Sequence, residues 1–479
     1  MADIKNYNRF TIIFYSFIKY LPSRFLVILN SIIIIPFYAY ILSSNEMGIY
    51  QLILGILNLL CTCSTDWITK ATLRFYEKYK IRNQLSDFFS NIIIIFTITY
   101  ILILINYCIF SQYIAEKYFI PKDLLFLTLI LIIPCGIRQL LYQILRVYNK
   151  PLLYTFSIIV YQFAHLLLFL LLFKTLNNVK AILIAMTIAM IIIDVYIIKK
   201  IQFNIKFTFT FKPNLLGEIL KYSLPTIFTN SGIWLILHMN KFTFQRIELF
   251  NYTATAGIAW AYTSYILTPL LSTFLFAVFP LIIKKFEYKQ KIKYIITNTI
   301  QLYFFMFVPL ISTFILYSKE ITTTVFSEKY NQAYIIIPFF AMTIFLHELM
   351  KILNIKYHLK NKTYIEMLIT SLLIILCIIL NIKLIPIYHL LGAGIAMLFS
   401  MIILIILNSI INFSNFDYII PKQIFKTVIY TTTISLIIFI LTQVCTTNII
   451  HGKLEIIKPI FYTITSYTII WKLKHRILN

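Results

Sequence analysis

Charge is scarce in this sequence. Asp, Glu, Lys and Arg make up only 12% of its 479 residues, and 60% are hydrophobic. A soluble globular protein carries about 25% charged and about 45–50% apolar residues. No stretch is long and polar enough to form an independent water-soluble domain, so the soluble classes are excluded. Acids are the scarcer sign, at 17 against 42 Lys and Arg, for a net charge of +25. On a soluble protein that excess would point to nucleic acid. Here the basic residues sit in short loops between apolar runs, where they read as topogenic charge, and no nucleic-acid partner is expected. Glycine is scarce too, with nine in the chain, and no Walker phosphate loop occurs. A nucleotide-binding domain is thereby excluded, no cofactor is expected, and energy has to come from an ion gradient, the membrane potential or downhill substrate flow. The six cysteines form no Cys-x-x-Cys pair and no His-x-x-x-His spacing accompanies them, which argues against zinc. They read as small buried hydrophobes.

What the chain has is apolar length. A membrane helix needs about 20 mostly apolar residues. Segments of that kind centre on Ile28, Leu57, Tyr100, Ile132, Ala164, Ala189, Leu235, Leu267, Phe305, Phe345, Leu373, Leu398, Leu436 and Thr465. The runs are continuously apolar and do not alternate with period two, so they predict helices and not a barrel. The first run holds Lys19, Pro22 and Arg24 and has no small-x-small cleavage site, so it reads as a retained first helix. With the N-terminus in the cytoplasm, roughly 25 Lys and Arg fall inside and roughly ten outside, which predicts both termini cytoplasmic in a multi-pass inner (plasma) membrane protein. Lys19-Tyr20-Leu21-Pro22 is echoed by Lys221-Tyr222-Ser223-Leu224-Pro225, and Asn149-Lys150-Pro151 by Asn361-Lys362-Thr363. Each echo is six spans apart, as in parallel repeats. The predicted division is an N-terminal lobe at 1–205, a C-terminal lobe at 206–415 and two further spans at 416–479.

Ionisable groups inside spans are the candidate functional residues. A central charge costs about 2.5–3.5 kcal/mol on insertion scales, so it should face a watery cavity or a partner. Arg24 and Arg138 have apolar sequence on both sides. Lys19, Lys221 and Lys241 lie near span ends, where snorkelling also accounts for them. Asp66 and Lys70 are four apart and Glu348 and Lys351 three apart, spacings at which each pair meets on one helix face. His347 lies beside Glu348. Asp194 is read as solvated at an inside end, and His165 and His238 as packed against carbonyls. Arg24, Lys70, Arg138, Lys351 and Lys241 are taken as a cationic substrate-binding cavity for an anionic group such as a pyrophosphate. Asp66, Glu348 and His347 are the candidates for ion coupling. Pro22, Pro36, Pro134, Pro225, Pro269 and Pro309 read either as kinks for alternating access or as static packing.

Several short motifs recur in order along the chain. They are Glu46-Met47-Gly48-Ile49-Tyr50 at the start of span two, Ala71-Thr72-Leu73-Arg74-Phe75-Tyr76 at its exit, and Leu220-Lys221-Tyr222-Ser223-Leu224-Pro225 opening the second lobe. Phe279-Pro280, Tyr330-Asn331-Gln332-Ala333, and Asn381-Ile382-Lys383-Leu384-Ile385-Pro386 with Leu391-Gly392-Ala393-Gly394-Ile395-Ala396 follow. Their order resembles the polysaccharide flippase family, the O-antigen or Wzx type, within the multidrug, oligosaccharidyl-lipid and polysaccharide exporter group. The resemblance implies an all-α membrane protein of about 14 transmembrane helices, with two six-helix lobes in a V plus two C-terminal helices. It implies flipping of an undecaprenyl-pyrophosphate-linked oligosaccharide from the cytoplasmic to the outer leaflet for surface polysaccharide or lipopolysaccharide synthesis. Membrane lipids and other polysaccharide assembly proteins would be the further partners. One departure stands out: the family has an Asp before a basic residue late in span seven, where this chain has Asn240-Lys241. A multidrug exporter of the same fold and a membrane polysaccharide polymerase or glycosyltransferase remain alternatives. The external loops are short and carry no catalytic cluster, which weighs against the polymerase and against enzymatic activity.

Overall fold

The computed structural model describes residues 25, 28, 32–148, 150–176, 178–201, 212–287, 293–360, 362–416, 422–446 and 457–472. Among these, every regular element is helical. Lipid dictates this, because a helix satisfies its backbone polar groups within one segment. A short apolar helix α1 (Ile32–Ile41) is followed by α2 (Ser44–Cys61), one turn of π-helix (Thr62–Asp66) and α3 (Trp67–Ile81). Then come α4 (Leu85–Tyr118), α5 (Lys122–Val147), α6 (Pro151–Leu172), α7 (Asn178–Ile201), α8 (Pro213–Arg246) and α9 (Phe250–Glu287). After α10 (Lys293–Leu316) the chain makes the short α11 (Ser318–Val325) and a 3-10 stretch (Glu328–Ile335). It ends with α12 (Ile337–Leu359), α13 (Thr363–Phe416), α14 (Lys422–Thr446) and α15 (Ile457–Lys472).

Every predicted span centre from Leu57 to Thr465 falls inside one of these helices, and Ile28 is itself helical. Among the described residues, nine segments are long and apolar enough to cross a membrane on length and composition alone. The chain is thus a multi-pass, all-helical membrane protein. Local sequence accounts for several boundaries. Ser43 caps α2 in a reciprocal box, its Oγ accepting from the Glu46 N–H at 3.3 Å while Glu46 Oε2 accepts from the Ser43 N–H at 2.8 Å. Helix α13 is two spans in one run. Its break is His389, at φ 47°, three residues after Pro386. Gly392 is required at this bend, because a Cβ there would lie 2.3 Å from the Leu384 carbonyl oxygen. The break separates the predicted centres Leu373 and Leu398.

The chain packs as two compact units. Unit A comprises Ile41–Ala254 and Thr363–Ile375; unit B comprises Met1–Tyr40, Thr255–Lys362 and Leu376–Asn479. In unit A, α7 packs on α5 and α6, while α8 packs on α2, α3 and α4. Its core gathers Ile68, Phe88, Phe89, Ile92, Leu145, Ile197 and Ile219. The apolar windows of α4 and α6 are only 22% buried, against 61% in α5, so α4 and α6 present broad apolar faces to lipid. In unit B, α10 packs on α12, α14 and α15. Tyr303 donates to the Phe345 carbonyl at 2.8 Å, Gln301 Nε2 to Thr427 Oγ1 at 3.2 Å, and Tyr467 to the Met306 carbonyl at 2.7 Å.

Candidate functional site

The polar interior of unit A is built around the π turn in span two. A π turn widens the helix by one residue and often marks a functional position. Here it sets a line of small polar groups: Ser64 Oγ lies 3.1 Å from Thr65 Oγ1, which lies 2.9 Å from the Tyr100 hydroxyl. Trp67 Nε1 donates back to the Cys63 carbonyl at 3.0 Å. Gly136 of α5 makes room for Tyr100, since a Cβ at that position would sit 1.4 Å from the Tyr100 oxygen. Cys61 and Cys135 meet beside this line, with sulfurs 3.1 Å apart.

Lys70, four residues past Asp66, lies within electrostatic reach of it. Its ammonium donates to Asn230 Oδ1 of α8 at 2.7 Å. A neutral amide on another helix is therefore a direct acceptor for this cation. Lys241 departs further from its sequence reading. It does not snorkel: it is 2% exposed, and its acceptor among the described residues is Gln51 Oε1, at 3.5 Å. The neighbouring Asn240 turns its Oδ1 to the Lys241 N–H at 2.7 Å and leaves its Nδ2 buried without a partner. Among the described residues no carboxylate pairs with this ammonium. Trp234 packs by His238 and Phe242, one and two turns away on the same helix.

Arg138 is buried in α5, with its guanidinium carbon 4.0 Å from the centre of the Tyr161 ring and its Nη1 unpaired. A desolvated cation over a ring contributes about 2 kcal/mol. His165 stacks on the same ring, with centroids 6.0 Å apart. Asp194 corrects its sequence reading. It is 4% exposed and not solvated, neither carboxylate oxygen has a hydrogen-bond partner, and it feels the Arg138 charge from beyond ion-pair distance. The sequence places Asp194 seven residues from the end of α7, but packing of α5 and α6 on α7 covers it.

Unit B carries the second cluster. Lys351 donates to Glu348 Oε1 at 2.6 Å, the pairing expected from their i,i+3 spacing, and His347 Nδ1 stands 3.8 Å from the same oxygen. Glu348 is fully buried and its Oε2 has no partner. Arg24 and Lys19 lie outside the described residues. Gln51 and Asn230 escaped the sequence reading because a neutral amide in an apolar run is less conspicuous than a charge. Among the described residues, no group of His, Cys, Asp and Glu is arranged to hold a metal.

At the ends of α3, α4 and α8, outside the hydrocarbon, unit A has a charged knot. Glu218 accepts from Lys78 through Oε1 and from the Tyr79 hydroxyl at 2.8 Å, and Lys212 pairs with Asp87. Burial would raise the Glu218 carboxyl, but the bonds from Lys78 and Tyr79 and the charges of Lys78 and Arg82 hold it below its ordinary range. Burial and the Glu218 bond push Tyr79 up to about 12.

No family model and no curated protein matches the sequence. Solved structures do. The lipid II flippase MurJ in an inward closed conformation aligns over 96% of this chain and 99% of its own, with a TM-score of 0.72 at 17% identity. The chain shares that structure's fold. The multidrug transporter DinF-BH aligns over 85% of this chain and 95% of its own at a TM-score of 0.64 and 15% identity. An inward-facing multidrug transporter of the MOP superfamily aligns over 81% and 94% at 0.59 and 11% identity. These relations span flippases and drug exporters alike and are those of a membrane transporter fold.

Proposed function

We propose that the chain is a flippase that moves an undecaprenyl-pyrophosphate-linked oligosaccharide across the plasma membrane by alternating access, for surface polysaccharide synthesis. The observation that carries this reading is Lys241, a membrane-embedded ammonium answered, among the described residues, by a neutral amide at 3.5 Å. A buried charge without a counter-charge is costly, and a pyrophosphate or acidic sugar supplies the missing anion. Arg138 and Lys70 belong to the same unit and add positive potential. In unit B, Lys351 is a further candidate for the substrate's anionic group, though Glu348 already compensates it, and we assign Glu348 and His347, with Asp66 of unit A, to ion coupling. Lobes at 1–205 and 206–415, related as parallel repeats, would carry the motion, with both termini in the cytoplasm. A cationic-drug exporter of the same fold is the second reading, favoured by the fold's likeness to multidrug transporters and opposed by this interior charge.

The experiment is leaflet sidedness of a lipid-linked oligosaccharide in liposomes, with and without the purified protein, under an ion gradient and membrane potential. Appearance of intact lipid-linked sugar on the opposite leaflet only when the protein is present supports the flippase. No movement by folded protein across several sugar structures, together with export of a cationic dye, would transfer the assignment to drug export.

A further inference from the structure

Unit A also carries an open apolar groove of about 180 Å³ where α4, α5 and α7 run side by side. Phe89 and Ile92 of α4 and Leu141 and Ile144 of α5 are buried and form its floor, while Ile198 of α7 is 43% exposed and stands at its mouth. Every side chain that lines it is hydrocarbon. In a bilayer such a groove holds a lipid chain, because water has no polar group there to bind.

The charge around the groove selects the lipid. Phe89 is four residues from the start of α4, Ile144 three from the end of α5, and Ile198 three from the end of α7. The groove therefore runs out at one end of the helix bundle, where the chain reaches the membrane interface. That end carries Arg146, Lys150, Lys199 and Lys200, all exposed. Of the acids at that end, Asp87 is paired with Lys212 and Glu218 with Lys78. The amino end of α4 adds partial positive charge. A hydrocarbon slot that opens onto exposed lysines matches the two halves of one molecule: an acyl chain and a phosphate.

We infer that this groove binds an anionic glycerophospholipid, which lays one acyl chain over Leu141 and Ile144 and sets its phosphate among Lys199, Lys200 and Arg146. Juxtamembrane lysines attract anionic lipid individually, and the chain in the groove fixes one lipid in place instead of a diffuse annulus. The site lies outside the residues assigned above to substrate and coupling, so it stands whatever the protein transports.

The test is native mass spectrometry of the full-length protein, purified in detergent, delipidated and titrated with phosphatidylglycerol or phosphatidylcholine. Wild type should hold one phosphatidylglycerol in preference to phosphatidylcholine. The double variant Lys199→Gln/Lys200→Gln should weaken phosphatidylglycerol roughly twenty-five-fold, two lysines each contributing about fivefold, and leave phosphatidylcholine unchanged. Ile198→Trp, at the exposed mouth where the fold tolerates bulk, should weaken both lipids by occupying the groove. Equal binding of the two lipids by wild type would overturn the inference, as would unchanged phosphatidylglycerol binding in the lysine variant. Unchanged binding in Ile198→Trp would show headgroup capture without the groove and overturn it too.

Discussion

Lys241 concentrates the electrostatic question at the scale of one residue. Its ammonium is buried, with the Gln51 amide oxygen at 3.5 Å, so its charge costs stability that a bound anion recovers. Lys241→Met keeps the packing volume and removes the charge. We expect a melting temperature in detergent equal to or above wild type, and a flux of lipid-linked oligosaccharide reduced about tenfold, near 1.4 kcal/mol. Wild-type flux in a folded Lys241→Met protein would remove Lys241 from the substrate path. Glu348 and Lys351 give an asymmetric pair, because the acid is fully buried and the lysine side chain is 38% exposed. Lys351→Met strands the carboxylate and should cost about 3–5 kcal/mol. Glu348→Gln leaves an ammonium on a half-exposed side chain that can turn away from the packed core, and should cost less than Lys351→Met. Melting curves of the two variants measure the difference, and equal losses would contradict the burial argument. These charges were legible in the sequence because an ionised group inside an apolar run is conspicuous. Their partners were not legible: Gln51 is 190 positions from Lys241, and no local pattern links a neutral amide to so distant a cation.

Helix packing turns on close approaches that only one residue type permits. Gly136 on α5 lets the Tyr100 ring of α4 pass over it, and the Tyr100 hydroxyl then meets Thr65 at the π turn. Gly136→Ala should displace the ring, break that hydrogen bond and cost about 1–3 kcal/mol by overpacking. Adding Tyr100→Leu should recover most of the loss if the clash is the cause. No recovery in the double variant would place the cost elsewhere. The ends of α3 and α8 are joined by ionisation. Because the Glu218 carboxyl is held below its ordinary value of 4.5, its contribution to stability is present at neutral pH and is lost as pH falls through the lowered folded value. Glu218→Gln should remove that acid-side dependence while Lys212→Gln leaves it, as melting curves between neutral and acidic pH would show. An unchanged acid limb in Glu218→Gln would assign it to other carboxylates. The sequence contained Lys78 and Glu218, but as surface charges on separate elements 140 residues apart.

At the scale of the whole molecule, the orientation is testable through the hairpin that α4 and α5 make. Helix α4 has 34 residues, about 50 Å at its axial rise, so its two ends lie on opposite sides of a bilayer. Arg82, in the turn before α4, and Lys122, at the start of α5, are both exposed. In a background with Cys108 replaced by Ser, Lys122→Cys in intact cells should react with a membrane-impermeant maleimide. Arg82→Cys should react only after the membrane is opened. The reverse pattern would invert the topology read from the basic loops.

Membrane class, helical architecture and the positions of the spans were determined by the sequence alone, because each follows from apolar length along one segment and no distant contact is needed. The bend that divides α13 was also local, written in Pro386 and Gly392. Tertiary structure decided which group answers each buried charge. Spacing along one helix offers Lys70 only Asp66, while the packing of α8 on α3 brings Asn230 to 2.7 Å. It likewise buried Asp194, which its place near a span end put by water, because helix neighbours and not sequence position set exposure. Pairing across helices depends on which faces meet, and a chain whose spans are nearly all apolar carries little information about that until it is packed.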